Sequence, residues 1–194
     1  HLTPEEQDYL ERIERNSSWI VGLVQDMLFL SRIDAVPEER EPIALTTLVQ
    51  GVSTHLQLER LGVLLSVQEG MPVVQADPVL FWHLFRNLLR NACRLLPPGD
   101  AGRIDVRCEP LPGAYRVVLE IVGASLSAEE QKHLFDLFPP EGKGQADIPD
   151  LGLGIARRIV QRYGGQIWIE GVQGRSIRFC LLLPEECAHG EGKE

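Results

Sequence analysis

Basic residues, clustered cysteines and long apolar runs are what this chain has least of. Its 194 residues carry 19 Lys and Arg against 28 Asp and Glu, a formal net charge of −9. Such a surface repels a phosphate backbone on average, so nucleic acid is not an expected partner. The four cysteines, Cys93, Cys108, Cys180 and Cys187, are widely spaced with no Cys-x-x-Cys pair. That offers neither a zinc knuckle nor a disulfide framework, and reduced thiols are the expectation. No run reaches the roughly 18 apolar residues a membrane helix needs, and the opening HLTPEEQDYL lacks the basic and apolar regions of a secretory leader. A cytoplasmic location without membrane contact by this stretch is expected. Hydrophobic residues at 44 % and charged residues at 24 % exclude disordered and low-complexity classes and supply enough apolar surface for a buried core.

What is there begins with a helix start. Thr3 is placed to cap, Pro4 suits the first helical position and Glu6 completes a capping box. Leu10, Ile13, Ile20, Val24 and Met27, widened by Leu23 and Leu30, keep one face apolar to about residue 33. A stripe of this kind calls for a partner helix. Residues 1–36 are therefore read as a helix, and Pro37 with the charged run Glu38-Glu39-Arg40-Glu41 as the start of a linker over 37–44.

From residue 45 to 184 helical and strand patterns alternate. Residues 45–58 have helical period, 63–67 and 73–74 read as strands, and Asp77-Pro78 opens a helix stopped by Pro97-Pro98-Gly99. Strands over 103–108 and 115–122 flank a turn at 110–113. A short helix follows near Ser127, then a Gly-, Pro- and Asp-rich loop at 139–150, a helix over 153–163, strands at 166–170 and 176–183, and a flexible tail over 185–194. The pattern predicts an α+β two-layer sandwich, a mixed and mostly antiparallel sheet with helices on one face. Trp82 and Trp168, each among apolar neighbours, read as packing residues, as do Phe135 and Phe138.

Asn87 and Asn91 lie four apart on one helical face, where a neutral amide oxygen suits the shell of a magnesium ion held mainly by phosphates. Arg94 on the same flank is placed to reach a phosphate oxygen. Gly152-Leu153-Gly154 at the start of a helix offers unhindered N–H groups and the positive end of the helix dipole. Each of these signals alone has an ordinary structural explanation; their order along one chain is the specific observation.

That order resembles the ATP-binding domain of sensor histidine kinases, in the GHKL ATPase superfamily with its Bergerat-type fold. Asp77-Pro78, His83, Asn87-Leu88-Leu89 and Asn91-Ala92 resemble the N box, Leu134-Phe135-Asp136-Leu137-Phe138 the F box, and Leu151-Gly152-Leu153-Gly154-Ile155-Ala156 with Tyr163-Gly164-Gly165 the second glycine box. Asp26 to Ile33 resembles the end of the second helix of the dimerisation hairpin. The resemblance implies ATP and Mg2+ as cofactors, Asn91 as the magnesium ligand, and binding through Asn87, Arg94, Gly123, Lys143 and Gly152 to Gly154, with 139–150 as a lid. It also implies a homodimer through the N-terminal helix and a response regulator as partner.

Several positions depart from the pattern. In the family a strand ends in an aspartate that accepts from the adenine amine; here Ile121 stands at that position, Gly123 is retained and Ser125 replaces the second glycine. Asp150 occupies the first glycine of the later box. Glu120, one residue away, faces the opposite side of a regular strand. None of the five histidines is followed by an acidic residue, as the family's phosphoacceptor is. Either the chain belongs to a longer sensor protein, which the start at His1 favours, or the first hairpin helix is missing from it. The two functional readings are a histidine kinase module with a diverged pocket and a pseudokinase kept for dimerisation and binding; another GHKL member is a weaker third.

Overall fold

The computed structural model describes residues 3–33, 35, 39–97, 102–135, 151–172 and 176–185. The chain divides into two compact units, His1–Val36 and Pro37–Glu194. The first is the helix α1 (Pro4–Ile33). Its start is a capping box: Glu6 N–H donates to Thr3 Oγ1 at 3.3 Å, while Glu6 Oε2 accepts from Thr3 N–H at 2.8 Å. The predicted stripe is left open along it, with Leu10, Ile13, Ile20, Val24 and Met27 between 47 and 61 % exposed. No helix among the described residues is long and apolar enough to cross a membrane.

The second unit holds β1 (Glu41–Ala44), α2 (Leu45–His55), β2 (Val63–Val67), β3 (Val73–Ala76), α3 (Pro78–Leu95), β4 (Gly102–Leu111), β5 (Ala114–Val122), α4 (Ala128–His133), α5 (Gly152–Arg162), β6 (Gln166–Val172) and β7 (Ser176–Pro184). Five strands form the main sheet in the order β2-β4-β5-β7-β6, with β2 parallel to β4 and every other pair antiparallel. This is the mixed, mostly antiparallel sheet that the sequence pattern predicts.

Three elements differ from the sequence reading. Residues 41–44, read as linker, form β1, which pairs antiparallel with β3 as a separate two-stranded ribbon. A four-residue strand containing Pro42 has too little pattern to betray itself, and its register comes from β3. The helix expected over 45–58 ends at His55, because Gln57 takes a left-handed φ of +55° and a 3-10 turn follows at Leu58–Leu61. β4 runs on through Pro110 to Leu111 and turns tightly at Pro112-Gly113 into β5. β2 covers β4 only as far as Val106, so Pro110 sits where a single neighbour makes its missing N–H tolerable.

Strand alternation divides the sheet into two faces. The inner one sets Ile104, Leu119, Ile121, Ile177 and Phe179 against Phe81, Leu84, Phe85 and Leu88 of α3 and Ile155 and Ile159 of α5, all buried to 0 or 1 % exposure. Phe135 joins this core edge-on to Phe179, with ring centroids 6.0 Å apart. The outer face carries charge. Arg107 and Arg178 both pair with Glu120, Arg116 pairs with Glu109 and Glu170, and Arg103 with Asp105. Trp168 belongs to this outer face rather than to the apolar core, donating Nε1–H to Glu170 at 2.8 Å with the Arg116 guanidinium 5.6 Å from its ring centroid.

Candidate functional site

The residues singled out for a nucleotide site fall on α3, the end of β5 and the start of α5. Asp77 begins α3: its Oδ1 accepts from Val79 N–H at 2.9 Å and from Leu80 N–H at 3.1 Å, and Pro78 follows at the first helical position. The helix so started places Asn87 and Asn91 on its inward side, 0 and 8 % exposed. Asn91 Nδ2 donates to the Asn87 carbonyl at 2.9 Å. That leaves the Asn91 Oδ1 as an acceptor. Among the described residues neither amide atom of Asn87 has a hydrogen-bond partner. An unsatisfied buried polar group costs about 1–3 kcal/mol, so a fully buried amide with both ends unpartnered fits a position reserved for a ligand.

α5 supplies the second wall. Gly152, Leu153 and Gly154 are its first three residues and all are buried. Among the described residues no side-chain hydrogen bond caps the helix at Leu151; the positive end of a helix dipole suits an anion. The two helices pack against each other in opposite directions. Tyr163 at the C-terminal end of α5 meets the N-terminal end of α3, its hydroxyl accepting from Asp77 N–H at 2.9 Å and its ring edge-on to Phe81 at 5.1 Å. At about 1.5 Å per residue the 11 residues of α5 reach about 16 Å back along α3. Gly152 to Gly154 therefore lie level with the stretch of α3 that carries Asn87 and Asn91.

Gly123 directly follows β5 and lies against Pro97, beyond the end of α3. Its φ of +85° is a conformation that side-chain-bearing residues rarely adopt, and an added Cβ would lie 3.4 Å from the Pro97 ring just beyond α3. Arg94, in the last turn of α3, is exposed toward solvent. His83 is half-buried; burial pushes its imidazole below the ordinary value and Arg86 adds to that, so it is neutral near neutral pH. Lys143, with Asp150 and the whole loop 139–150, lies outside the described residues.

Ile121 is fully buried, registered between Ile104 on β4 and Ile177 on β7. The ladder runs through it to Val122 without a bulge, so Glu120 points to the outer face. There it accepts from Ser176 Oγ at 2.7 Å, Arg107 at 2.9 Å and Arg178 at 3.0 Å. Glu120 is committed to that network and does not stand in for a carboxylate at position 121. Sequence reading missed Pro97 against Gly123 and the Tyr163 to Asp77 tie; the motif Tyr163-Gly164-Gly165 was the only trace of the second.

A mixed, mostly antiparallel five-stranded sheet with α3 and α5 packed on one face is the fold of an ATP-binding domain of the histidine kinase type. The family model described as "Histidine kinase-, DNA gyrase B-, and HSP90-like ATPase" matches residues 76–186, and the chain belongs to that family in its sensor histidine kinase branch. The chain is 32 % identical over 171 residues to the sensor histidine kinase CusS of Escherichia coli O157:H7, covering 84 % of this chain and 35 % of that protein. It is 27 % identical to the circadian input-output histidine kinase CikA of Synechococcus elongatus, covering 95 % of this chain and 26 % of the relative. It thus spans about a third or less of the curated relatives' length. Among solved structures, full-length ShkA in complex with AMPPNP superposes with a TM-score of 0.72 at 21 % identity, over 95 % of this chain and 40 % of that one. Histidine kinase ThkA in complex with response regulator TrrA does so with the same TM-score and identity, over 95 and 53 %. These two likenesses show the fold.

Proposed function

We propose that this chain is the ATP-binding part of a sensor histidine kinase, holding Mg-ATP between α3, the end of β5 and the start of α5 and donating the γ-phosphate to a histidine outside this stretch. The observation that carries the reading is Asn87, fully buried with both amide atoms unpartnered among the described residues, one turn before Asn91. In this reading Asn91 Oδ1 completes the magnesium shell, Arg94 and the lid residue Lys143 neutralise phosphate charge, and the backbone of Gly123 and of Gly152, Leu153 and Gly154 borders the nucleotide. Phosphoryl transfer asks for positioning and charge neutralisation rather than a covalent protein nucleophile, which suits a site without one. The exposed stripe of α1 is the seam of a homodimer, and a response regulator is the downstream partner, as the ThkA complex suggests by analogy.

The base end of the pocket is diverged. A hydrogen bond to a charged acceptor contributes about 1.5–3 kcal/mol, so an isoleucine at position 121 weakens adenine binding by roughly ten- to more than a hundredfold relative to an aspartate. The burial of Ile121 favours a second reading, a pseudokinase whose fold serves dimerisation and binding. Calorimetric titration with ATP in excess magnesium separates the two. Saturable binding by the parent chain, abolished in Asn91→Ala, supports the nucleotide site. No binding by the parent, with binding gained in Ile121→Asp or in the neutral Ile121→Asn, supports the pseudokinase.

A further inference from the structure

One aromatic ring ties together three parts of the second unit that are far apart in sequence. Tyr163 is the residue after α5 and is 4 % exposed. Its hydroxyl accepts from the backbone N–H of Asp77, the residue whose side chain caps α3. Its ring stands edge-on to Phe81 in the first turn of α3. On the ring lies the Arg40 guanidinium, 5.3 Å from the centroid. Arg40 directly precedes β1, the ribbon strand that pairs with β3, and β3 ends at Ala76, immediately before Asp77. The chain leaving α1 is thus fastened to the beginning of α3 twice, by the β1–β3 ladder and through the Tyr163 ring, and the ring also holds the end of α5.

We propose that Tyr163 is a positioning residue for the nucleotide site: with Arg40 it sets how α3 and α5 lie along each other, and so the placement of Asn87 and Asn91 against Gly152 to Gly154. The proposal rests on the reading of α3 and α5 as the nucleotide-binding helices. Its physical content is a lever. The contact is at one end of an antiparallel helix pair, Asn87 and Asn91 lie about two to three turns further along α3, and Gly152 to Gly154 lie at the far end of α5, so a small change of angle at the ring becomes a displacement at the amides. The cation on the ring is the adjustable part, because Arg40 is exposed and belongs to the segment through which the chain passes from α1 into the second unit. A cation over an aromatic ring at an exposed site is worth about 0.5–1 kcal/mol, which converts to about two- to fivefold in an equilibrium.

The test uses the full chain labelled with 15N, in the parent and in Arg40→Ala, Arg40→Lys and Tyr163→Phe. The side-chain amides of Asn87 and Asn91 and the backbone amides of Gly152 and Gly154 are followed by NMR, Mg-ATP affinity by calorimetry and the unfolding midpoint by circular dichroism. Arg40→Ala is expected to lower the midpoint by only a few degrees with the cooperative transition kept, to shift all four amides and to weaken Mg-ATP binding about two- to fivefold. Arg40→Lys, which keeps a cation on the ring, is expected to restore both, a rescue that loss of packing alone would not give. Tyr163→Phe, which removes only the hydroxyl, is expected to shift the same four amides. Shifts confined to the neighbours of residues 40 and 163 overturn the proposal, as does equal behaviour of Arg40→Ala and Arg40→Lys. If no variant and no parent binds Mg-ATP while the amides still respond to Arg40 and recover in Arg40→Lys, the coupling stands and the nucleotide reading fails.

Discussion

Glu120 and Ile121 are adjacent in sequence and opposite in environment, and the difference has a measurable signature in acid. Burial alone would raise the Glu120 carboxyl, but hydrogen bonds from Arg178, Ser176 and Arg107 together outweigh it and bring the value from 4.5 down to about 2. A carboxyl depressed in the folded state contributes stability that is fully present above its unfolded value and lost as the pH falls. The loss therefore runs from about pH 4.5 to about pH 2, with an upper size of about 3 kcal/mol. Glu120→Gln is expected to flatten that part of the profile and to cost about 2 kcal/mol at neutral pH, read by urea unfolding at a series of pH values. That the two side chains face opposite ways was legible from strand alternation. Which groups would meet Glu120 was not, because Arg178 lies 58 residues further along the chain and the β5–β7 register brings it there.

Among the elements, those with strong local punctuation were the ones the sequence made plain. Asp77-Pro78 marks the start of α3 by a cap and a proline, and the structure shows the cap hydrogen bonds formed. Asp77→Ala is expected to lower stability by about 1 kcal/mol, seen as a lower urea midpoint with an unchanged slope. The spacing of Asn87 and Asn91 was legible as a shared helical face, whereas the isolation of the Asn87 amide emerges only once α3 is packed. β1 escaped because four residues carry no period. The return from α5 into β6 is tighter than its glycines alone suggest: a Cβ on Gly165 would run into the backbone carbonyl of Leu182 as well as Val160. Gly165→Ala is expected to cost about 2–3 kcal/mol, more than the cap variant, since a backbone atom must give way.

For the molecule as a whole, composition foretold a folded acidic chain, and motif order foretold the family. What lay beyond sequence was the distribution of surface. The stripe on α1 remains about half-exposed at Leu10, Ile13, Ile20, Val24 and Met27. If it is a dimer seam, Ile13→Glu with Ile20→Glu is expected to convert a dimer to a monomer, measured by light scattering on a sizing column; a dimer that persists places the seam elsewhere. The outer face of the five-stranded sheet behaves differently. Its ion pairs enlist Arg103, Arg107, Arg116 and Arg178 against Asp105, Glu109, Glu120 and Glu170, so their charges cancel. An ion approaching that side meets no net monopole, and beyond a Debye length of about 8 Å at physiological salt the alternating charges fade into one another. The −9 of the chain is thus carried by side chains other than these eight, and the face they occupy offers a passing charged molecule a patchwork rather than a pull.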